Sequence, residues 1–309
     1  MHVPLVSVII PTYRERDLLR EAVDSALAQT MRDIEVIVVE DGTHTAREAL
    51  SGYGAPVRYI WQENQGVSGA RNTGVLHASA SWLAFLDHDD LWKPEKLERQ
   101  LLLAERSPEF DVIHTDHFVL RDGKMLPGPR LVPTEQVPSG RVSRRLFMNN
   151  FLILSSALVT KRSCVAAGGF DSRHTYAQDY DLWLRIARQG EFGFVNERLT
   201  VYRDHDSLSS NFPRALVDTA EVLAEFVAAN PETWDVVGAE AVRTRMSAVY
   251  WEAAYAHFLE GEHAAARKLF MSAWRWNRQR IRPLLYGAAC LTGPSGVRAI
   301  RAVKAAAGR

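Results

Sequence analysis

The sequence predicts an α/β fold, a Rossmann-like, mostly parallel sheet flanked by helices and followed by an all-helical C-terminal extension. Three observations carry this reading. From residue 5 to about 115, short β-branched runs alternate with amphipathic stretches at helical spacing. The runs are continuously apolar, as strands covered on both faces must be. After Pro213 the pattern is helical only.

Taken in order, "VSVII" (6–10), "EVIVV" (35–39), "VRYI" (57–60), "WLAFL" (82–86) and "DVIHT" (111–115) read as strands. Residues 16–30, 67–79 and 94–106 read as helices, with Leu18, Leu19, Ala22, Ala26 and Leu27 tracing one apolar face. The portion 116–178 is less regular: a hairpin, a strand at 152–159 and a short helix at 161–167 are expected. "QDYDLWLRIARQG" (178–190) reads as a helix stopped by Gly190, and "LTVYR" (199–203) as a final strand. These elements form a first domain, 1–212. The second, 213–309, contains two Ala- and aromatic-rich helical segments hinged at Gly261, which resemble one tetratricopeptide unit. A lone helix pair of this kind is more often packing material than a peptide-binding array.

Composition narrows the class. Hydrophobic residues make up 47% and charged residues 24%, as in an ordinary globular protein. Lys+Arg and Asp+Glu both total 37, so the charge balance names no polyanionic partner and argues against nucleic-acid binding. Cys164 and Cys290 lie far apart without metal-type spacing, which fits a reducing cytoplasm. The N-terminal "MHVPLVSVIIP" lacks a basic lead and runs into "RERD", unlike a signal peptide. No window approaches the roughly 20 apolar residues of a spanning helix, so a cytoplasmic location is expected, with membrane contact at most peripheral. Past Glu262 there is no Asp or Glu, while Arg and Lys continue to the terminus. This tail is either a solvated basic face or a patch resting on anionic lipid, with "LLYGAACL" dipping into the interface; the second is the expectation.

In such sheets, ligands bind beyond the carboxyl ends of the strands. The first strand runs into "PTYRE", the second into "EDG" (40–42) and the fourth into "DHDD". Asp87, Asp89 and Asp90 thus crowd a strand end, where like charges repel unless something positive sits among them. Their hard oxygens suit Mg²⁺ or Mn²⁺ with positions left open for phosphate oxygens, so a diphosphate is the natural third party. The plainer alternative is a solvated turn with Asp90 capping the helix near Pro94. A calcium loop of the EF-hand kind needs Gly at its sixth position, which here is Trp92.

Five blocks, "VSVIIPTYRERDLLREAVDSALAQT", "EVIVVEDG", "NQGVSGARNTGV", "SWLAFLDHDDLWKPEKLERQ" and "GGFDSRHTYAQDYDLWLRIARQG", stand in the order found in the family 2 glycosyltransferases. From residue 5 to about 210 the chain resembles that family. The resemblance implies a GT-A fold and an inverting, metal-dependent transfer of sugar from a nucleotide diphosphate, UDP favoured. The acceptor would be a hydroxyl of a saccharide or lipid-linked saccharide, in bacterial cell-surface polysaccharide synthesis. It further implies that Pro11, Thr12, Tyr13 and Glu15 of the first loop, with Asp41, form the nucleotide pocket. Tyr13 offers a flat face to a pyrimidine and Asp41 an acceptor for a uracil N–H. Without the other blocks, Pro11 would simply end a strand and Asp41-Gly42 would be a turn. The family usually has Asp where this chain has Glu40.

By the same resemblance Asp87 faces the ribose, His88 lies beside it, and Asp89 is a ligand for Mn²⁺ or Mg²⁺. Arg71 either braces these carboxylates or approaches the diphosphate; the alternative is a surface arginine at a helix start. Asp179 matches the catalytic base, in "QD" where the family has "ED", and Gln178 is expected to leave it slightly less basic. Asp181 is a rival two residues away, assigned to the structural face with Trp183 and Arg185. His205 matches a position near the metal or diphosphate, although a lone histidine is commonly just surface. A nucleotidyltransferase would need a glycine-rich loop after the first strand, and "PTYRERD" has no glycine. A non-catalytic scaffold is disfavoured by intact Asp87, Asp89 and Asp179. Donor sugar, acceptor and linkage are not legible from these motifs.

Overall fold

A computed structural model describes residues 2–128, 139–204 and 212–292. The chain divides into two compact units, Met1–Ser207 and Leu208–Arg309.

The first unit opens with β1 (Val6–Thr12), α1 (Asp17–Leu27), β2 (Ile34–Asp41), a short α2 (Thr45–Ala49), β3 (Val57–Gln62), α3 (Gly66–His77) and β4 (Trp82–Phe85). β1 and β2 are buried along their whole length, as their unbroken apolar runs require. α1 lays Leu19, Ala22, Val23 and Ala26 against Val8, Ile10, Val36 and Val38. The chain continues with β5 (Leu91–Trp92), α4 (Lys96–Arg106), β6 (Phe110–Arg121), β7 (Lys124–Pro127), α5 (Ser143–Met148), β8 (Leu158–Thr160), α6 (Lys161–Ala166), α7 (Gln178–Ala187) and β9 (Glu191–Arg203). All nine strands join one mixed sheet in the order β3-β2-β1-β4-β8-β6-β9-β5, with β7 paired to β6. The β3-β2-β1-β4 half and the long β6–β9 pair are parallel, and β8 joins the halves antiparallel to both β4 and β6.

This order fixes where a ligand fits. From β1 the chain goes to β2 on one side and later returns to β4 on the other. The crevice at their carboxyl ends is the switch point of the sheet. At the opposite end Glu35 accepts from Ser7 Oγ (2.7 Å), Ser79 N–H (2.7 Å) and Arg58 Nη1 (2.7 Å). Although burial opposes the charge, these donors bring its carboxyl down to about 2.

Several expectations change. α2 is too short for a periodicity signal and forms because Glu40 accepts the Thr45 and Ala46 N–H groups at 2.6 and 3.0 Å. The expected strand 152–159 is a 3-10 turn, Leu154–Ser156, followed by β8. There the Ser155 and Ser156 carbonyls accept from the side chains of Trp92 (2.7 Å) and Gln100 (3.0 Å), bonds that a regular ladder would take. "LTVYR" is only the end of β9. Helix α7 stops at Ala187, and the Gly190 N–H closes it on the Ile186 carbonyl at 2.9 Å. The expected hairpin is β6–β7, turned by Asp122 and Gly123, both at positive φ.

The second unit contains α8 (Phe212–Ala229), α9 (Ala239–Leu259), α10 (His263–Trp276) and α11 (Arg282–Ala289). The α9–α10 turn falls at Gly261. Ala254 and Phe258 of α9 pack on Ala266 and Phe270 of α10 with Cys290, edged by Trp251, Tyr255 and Tyr286. Among the described residues no helix is long and apolar enough to cross a membrane.

Candidate active site

Three strand ends deliver the unusual chemistry to one edge. β1 ends at Thr12, β2 at Asp41, and beyond β4 the Leu86 N–H donates to the Ile9 carbonyl at 3.0 Å, setting "DHDD" beside "PTYRE". His88 closes the pair through Nδ1, 3.3 Å from the Pro11 carbonyl oxygen. Asp41 is buried, and its Oδ1 accepts from Gln62 Nε2 (2.7 Å) and the Gln65 N–H (2.9 Å), which ties the β3–α3 loop to this edge. Tyr13 is 43% exposed, and the guanidinium of Arg14 lies 4.9 Å from its ring centroid. Thr12 Oγ1 is buried and has no hydrogen bond among the described residues. Glu15 Oε1 accepts the N–H groups of Arg16, Asp17 and Leu18 at 2.9, 3.2 and 3.4 Å, bonds that tie it to the start of α1. Glu40, the departure from the family pattern, points away from a ligand role. Besides heading α2, it takes the Tyr59 hydroxyl at 2.7 Å and the Thr43 hydroxyl at 2.6 Å.

The carboxylate knot has its positive partner in Arg71. This arginine, 4% exposed, donates from Nη2 to Asp87 Oδ1 at 2.6 Å. Its guanidinium also lies 5.3 Å from the ring centroid of Phe170. Nε and Nη1 are buried without a hydrogen bond among the described residues. Unpaired buried donors are costly, and they are what an anionic group would satisfy.

Asp179 stands in the first turn of α7 and shares this electrostatic neighbourhood. Burial is the largest influence on it and pushes its carboxyl up to about 6; the Arg71 charge and the Tyr180 N–H, 2.7 Å from Oδ1, oppose the rise, and the Asp87 charge adds to it. The expected loss of basicity from Gln178 is therefore not the governing effect. Asp181, its rival, instead pairs with Arg185 one turn along, with Nε at 3.1 Å. Arg185 also donates to the carbonyls of Ala167 and Gly169.

Sequence reasoning missed what holds α7 in place. Asn72, next to Arg71, donates from Nδ2 to the Phe170 carbonyl at 2.8 Å and accepts the Phe170 N–H through Oδ1 at 2.9 Å. A Cβ on Gly169, whose φ is +71°, would sit 2.6 Å from that Oδ1. The blocks "GARNTG" and "GGFD" are thus two halves of one clamp. Their adjacency to Arg71 and to the α7 lead-in was the available signal.

Asp90 is not the helix cap. It is 1% exposed and accepts the Arg203 N–H at 3.0 Å and the Ser155 hydroxyl. Burial and repulsion from Asp87 and Asp89 push its carboxyl well above the usual range. The Arg203 side chain completes the join, donating from Nε to the Asp89 carbonyl (2.8 Å) and from Nη2 to Glu21 (2.7 Å). β9 is thereby bolted to the carboxylate loop, a role for Arg203 that sequence did not disclose. His205 lies outside the described residues.

Comparison with known proteins agrees with this geometry. A profile of the Glycosyl transferase family 2 matches residues 7–151. An uncharacterized glycosyltransferase of Rickettsia typhi is 34% identical over 211 residues, covering 67% of this chain and 66% of that protein. The uncharacterized glycosyltransferase EpsJ of Bacillus subtilis is 28% identical over 228 residues, covering 68% of this chain and 64% of that protein. The chain thus spans about two thirds of the length of these curated relatives. Among solved structures, S. aureus TarS 1-349 in complex with UDP-GlcNAc aligns with a TM-score of 0.60 at 13% identity, covering 93% of this chain and 90% of that one. The same protein with UDP aligns at 0.55 and 16% identity, covering 93% and 87%. The structural likeness establishes a GT-A fold, and with the sequence matches it places this chain in the family 2 glycosyltransferases.

Proposed function

We propose that the protein transfers a sugar from a UDP-sugar to a hydroxyl of a saccharide or lipid-linked saccharide, in one displacement that inverts the anomeric carbon. The activity is assigned to residues 1–212, with a bacterial cell-surface polysaccharide as the destination. One observation carries the reading: Arg71, buried and paired with Asp87 at 2.6 Å, keeps Nε and Nη1 without a partner among the described residues, and its charge reaches Asp179. The binding of UDP and UDP-GlcNAc by TarS structures of the same fold supports the donor class.

In this mechanism Asp179 takes the proton of the acceptor hydroxyl, and the oxygen attacks the anomeric carbon from the face opposite the diphosphate. The bond to the diphosphate breaks as the new one forms, and the proton stays on Asp179. A carboxyl near 6 is ionised at neutral pH yet more basic than an ordinary aspartate, which suits a general base. Arg71 supplies the two buried N–H groups that lack partners among the described residues, donors matched to the departing diphosphate. Tyr13 and Asp41 receive the base, with Pro11, Thr12 and His88 shaping the pocket and Asp87 at the ribose.

Mn²⁺ or Mg²⁺ fits the donor set here. Burial is the main influence that pushes the Asp90 carboxyl upward, but the charges of Asp87 and Asp89 add to it, a local excess of negative charge, and the oxygens are of the hard type. Asp89, with His205, would hold the ion. When bound, it neutralises charge that develops on the diphosphate.

Replacing Asp179 with Asn tests the assignment. Transfer, followed by UDP release, is expected to fall at least a thousandfold while the Kd for UDP changes little. Wild-type turnover in Asp179→Asn would refute the base.

A further inference from the structure

Helix α11 of the second unit, with the residues that flank it, presents two unlike faces. Inward, Tyr286 meets Trp251, Phe258 and Phe270 at ring-centroid distances of 5.0, 5.6 and 5.5 Å, and Cys290 joins the same cluster. Outward, Ile281, Leu285 and Leu291 are 65%, 59% and 64% exposed, with Ala288 exposed between them. Positions 281, 285 and 288 fall on one side of a helix, so these side chains form a ridge. The sequence run "LLYGAACL" is therefore split, part core and part surface. Ile281, outside that run, belongs to the surface part.

Cations collar the ridge. Arg278, Arg280 and Arg282 are exposed, and none forms an ion pair among the described residues. The Arg278 guanidinium lies 5.5 Å from the ring centroid of Trp274. No acidic residue occurs from His263 to the terminus, so the segment cannot neutralise itself. A large exposed apolar stripe with charges of one sign on its flanks is unfavourable in water. It matches a surface that offers negative charge at its rim and hydrocarbon just beneath.

We infer that the ridge of Ile281, Leu285 and Leu291, collared by Arg278, Arg280 and Arg282, docks on an anionic lipid surface, lying in its interface without crossing it. Charge complementarity selects this occupant over a second copy of the chain, because two like collars would repel. The inference concerns the helical unit alone and stands apart from the transferase reading.

Sedimentation of the full chain with vesicles tests it. Vesicles of phosphatidylcholine mixed with an equal amount of phosphatidylglycerol are expected to bind at least tenfold more strongly than phosphatidylcholine alone, and raised salt should weaken that binding. Ile281→Ser with Leu285→Ser should lower binding about tenfold or more. Arg278→Gln, Arg280→Gln and Arg282→Gln together should lower it about a hundredfold. Both variants change exposed positions, so their thermal unfolding should match that of the wild type. Equal binding to both vesicle types, no binding, or insensitivity to either set of substitutions would overturn the inference. Self-association that Leu285→Ser abolishes, without vesicle binding, would assign the ridge to a second copy and overturn it too.

Discussion

At Asp179, the proposed base, one side chain would set both an activity limit and a stability cost. Its carboxyl titrates near 6 in the folded chain against 3.8 ordinarily, mainly through burial. The base works ionised, so kcat/KM should rise with pH through about 6 and level off above it; a profile flat from pH 5 to 8 would contradict this. The stability effect has the opposite sign. Because the folded value is raised, the protonated form favours folding, and that contribution is lost as pH rises from about 4 through about 6. Asp179→Asn, which stays neutral, should therefore be more stable than wild type at pH 8 by about 1–3 kcal/mol, at roughly 1.4 kcal/mol for each pKa unit. Denaturant unfolding at pH 8 and pH 4 checks it, with the gap closing at the lower pH. Glu40 shows another way a residue is placed. Its longer side chain reaches Thr43, Thr45, Ala46 and Tyr59 together, so it ties the start of α2 to β3, while Asp41 bonds Gln62 and Gln65.

At the scale of elements, α3 organises the site. Arg71 reaches the carboxylates after β4, and Asn72 grips the loop that leads into α7. Breaking the grip should let α7 drift from the diphosphate side of the crevice. Asn72→Ala is expected to cost about 1–3 kcal/mol of stability, since it orphans two buried backbone groups. It should also lower kcat about tenfold to a hundredfold with little change in UDP affinity, because Asn72 touches the positioning of the base and not the nucleotide loops. Steady-state kinetics alongside UDP titration separates the two effects. The β9 end is joined in a similar way: Arg203 holds the Asp89 carbonyl and the Asp90 carboxylate from a strand more than a hundred residues away.

At the scale of the molecule, the proposed donor would bind only the folded first unit, so ligand and fold are thermodynamically linked. UDP with Mn²⁺ should raise Tm by several degrees, GDP with Mn²⁺ less, and UDP with a chelator less than UDP with Mn²⁺. Equal shifts for UDP and GDP would refute the uracil pocket at Tyr13 and Asp41. The chain spans about two thirds of the length of two of its curated relatives and about a third of three others.

The strands of the first half of the sheet, the major helices and the strand ends that carry the acidic motifs were legible in the sequence, because continuous apolar runs and motif spacing are local properties. Asp87, Arg71 and Asp179 stood in separate blocks, and the fold brings them into one electrostatic neighbourhood. What only the tertiary structure decided is which partner each acid has. Asp90 is buried against Arg203, Asp181 is paired with Arg185, and Asp179 feels the charges of Arg71 and Asp87. Burial and long-range partners set those pairings, and neither is encoded in the spacing of neighbours along a chain.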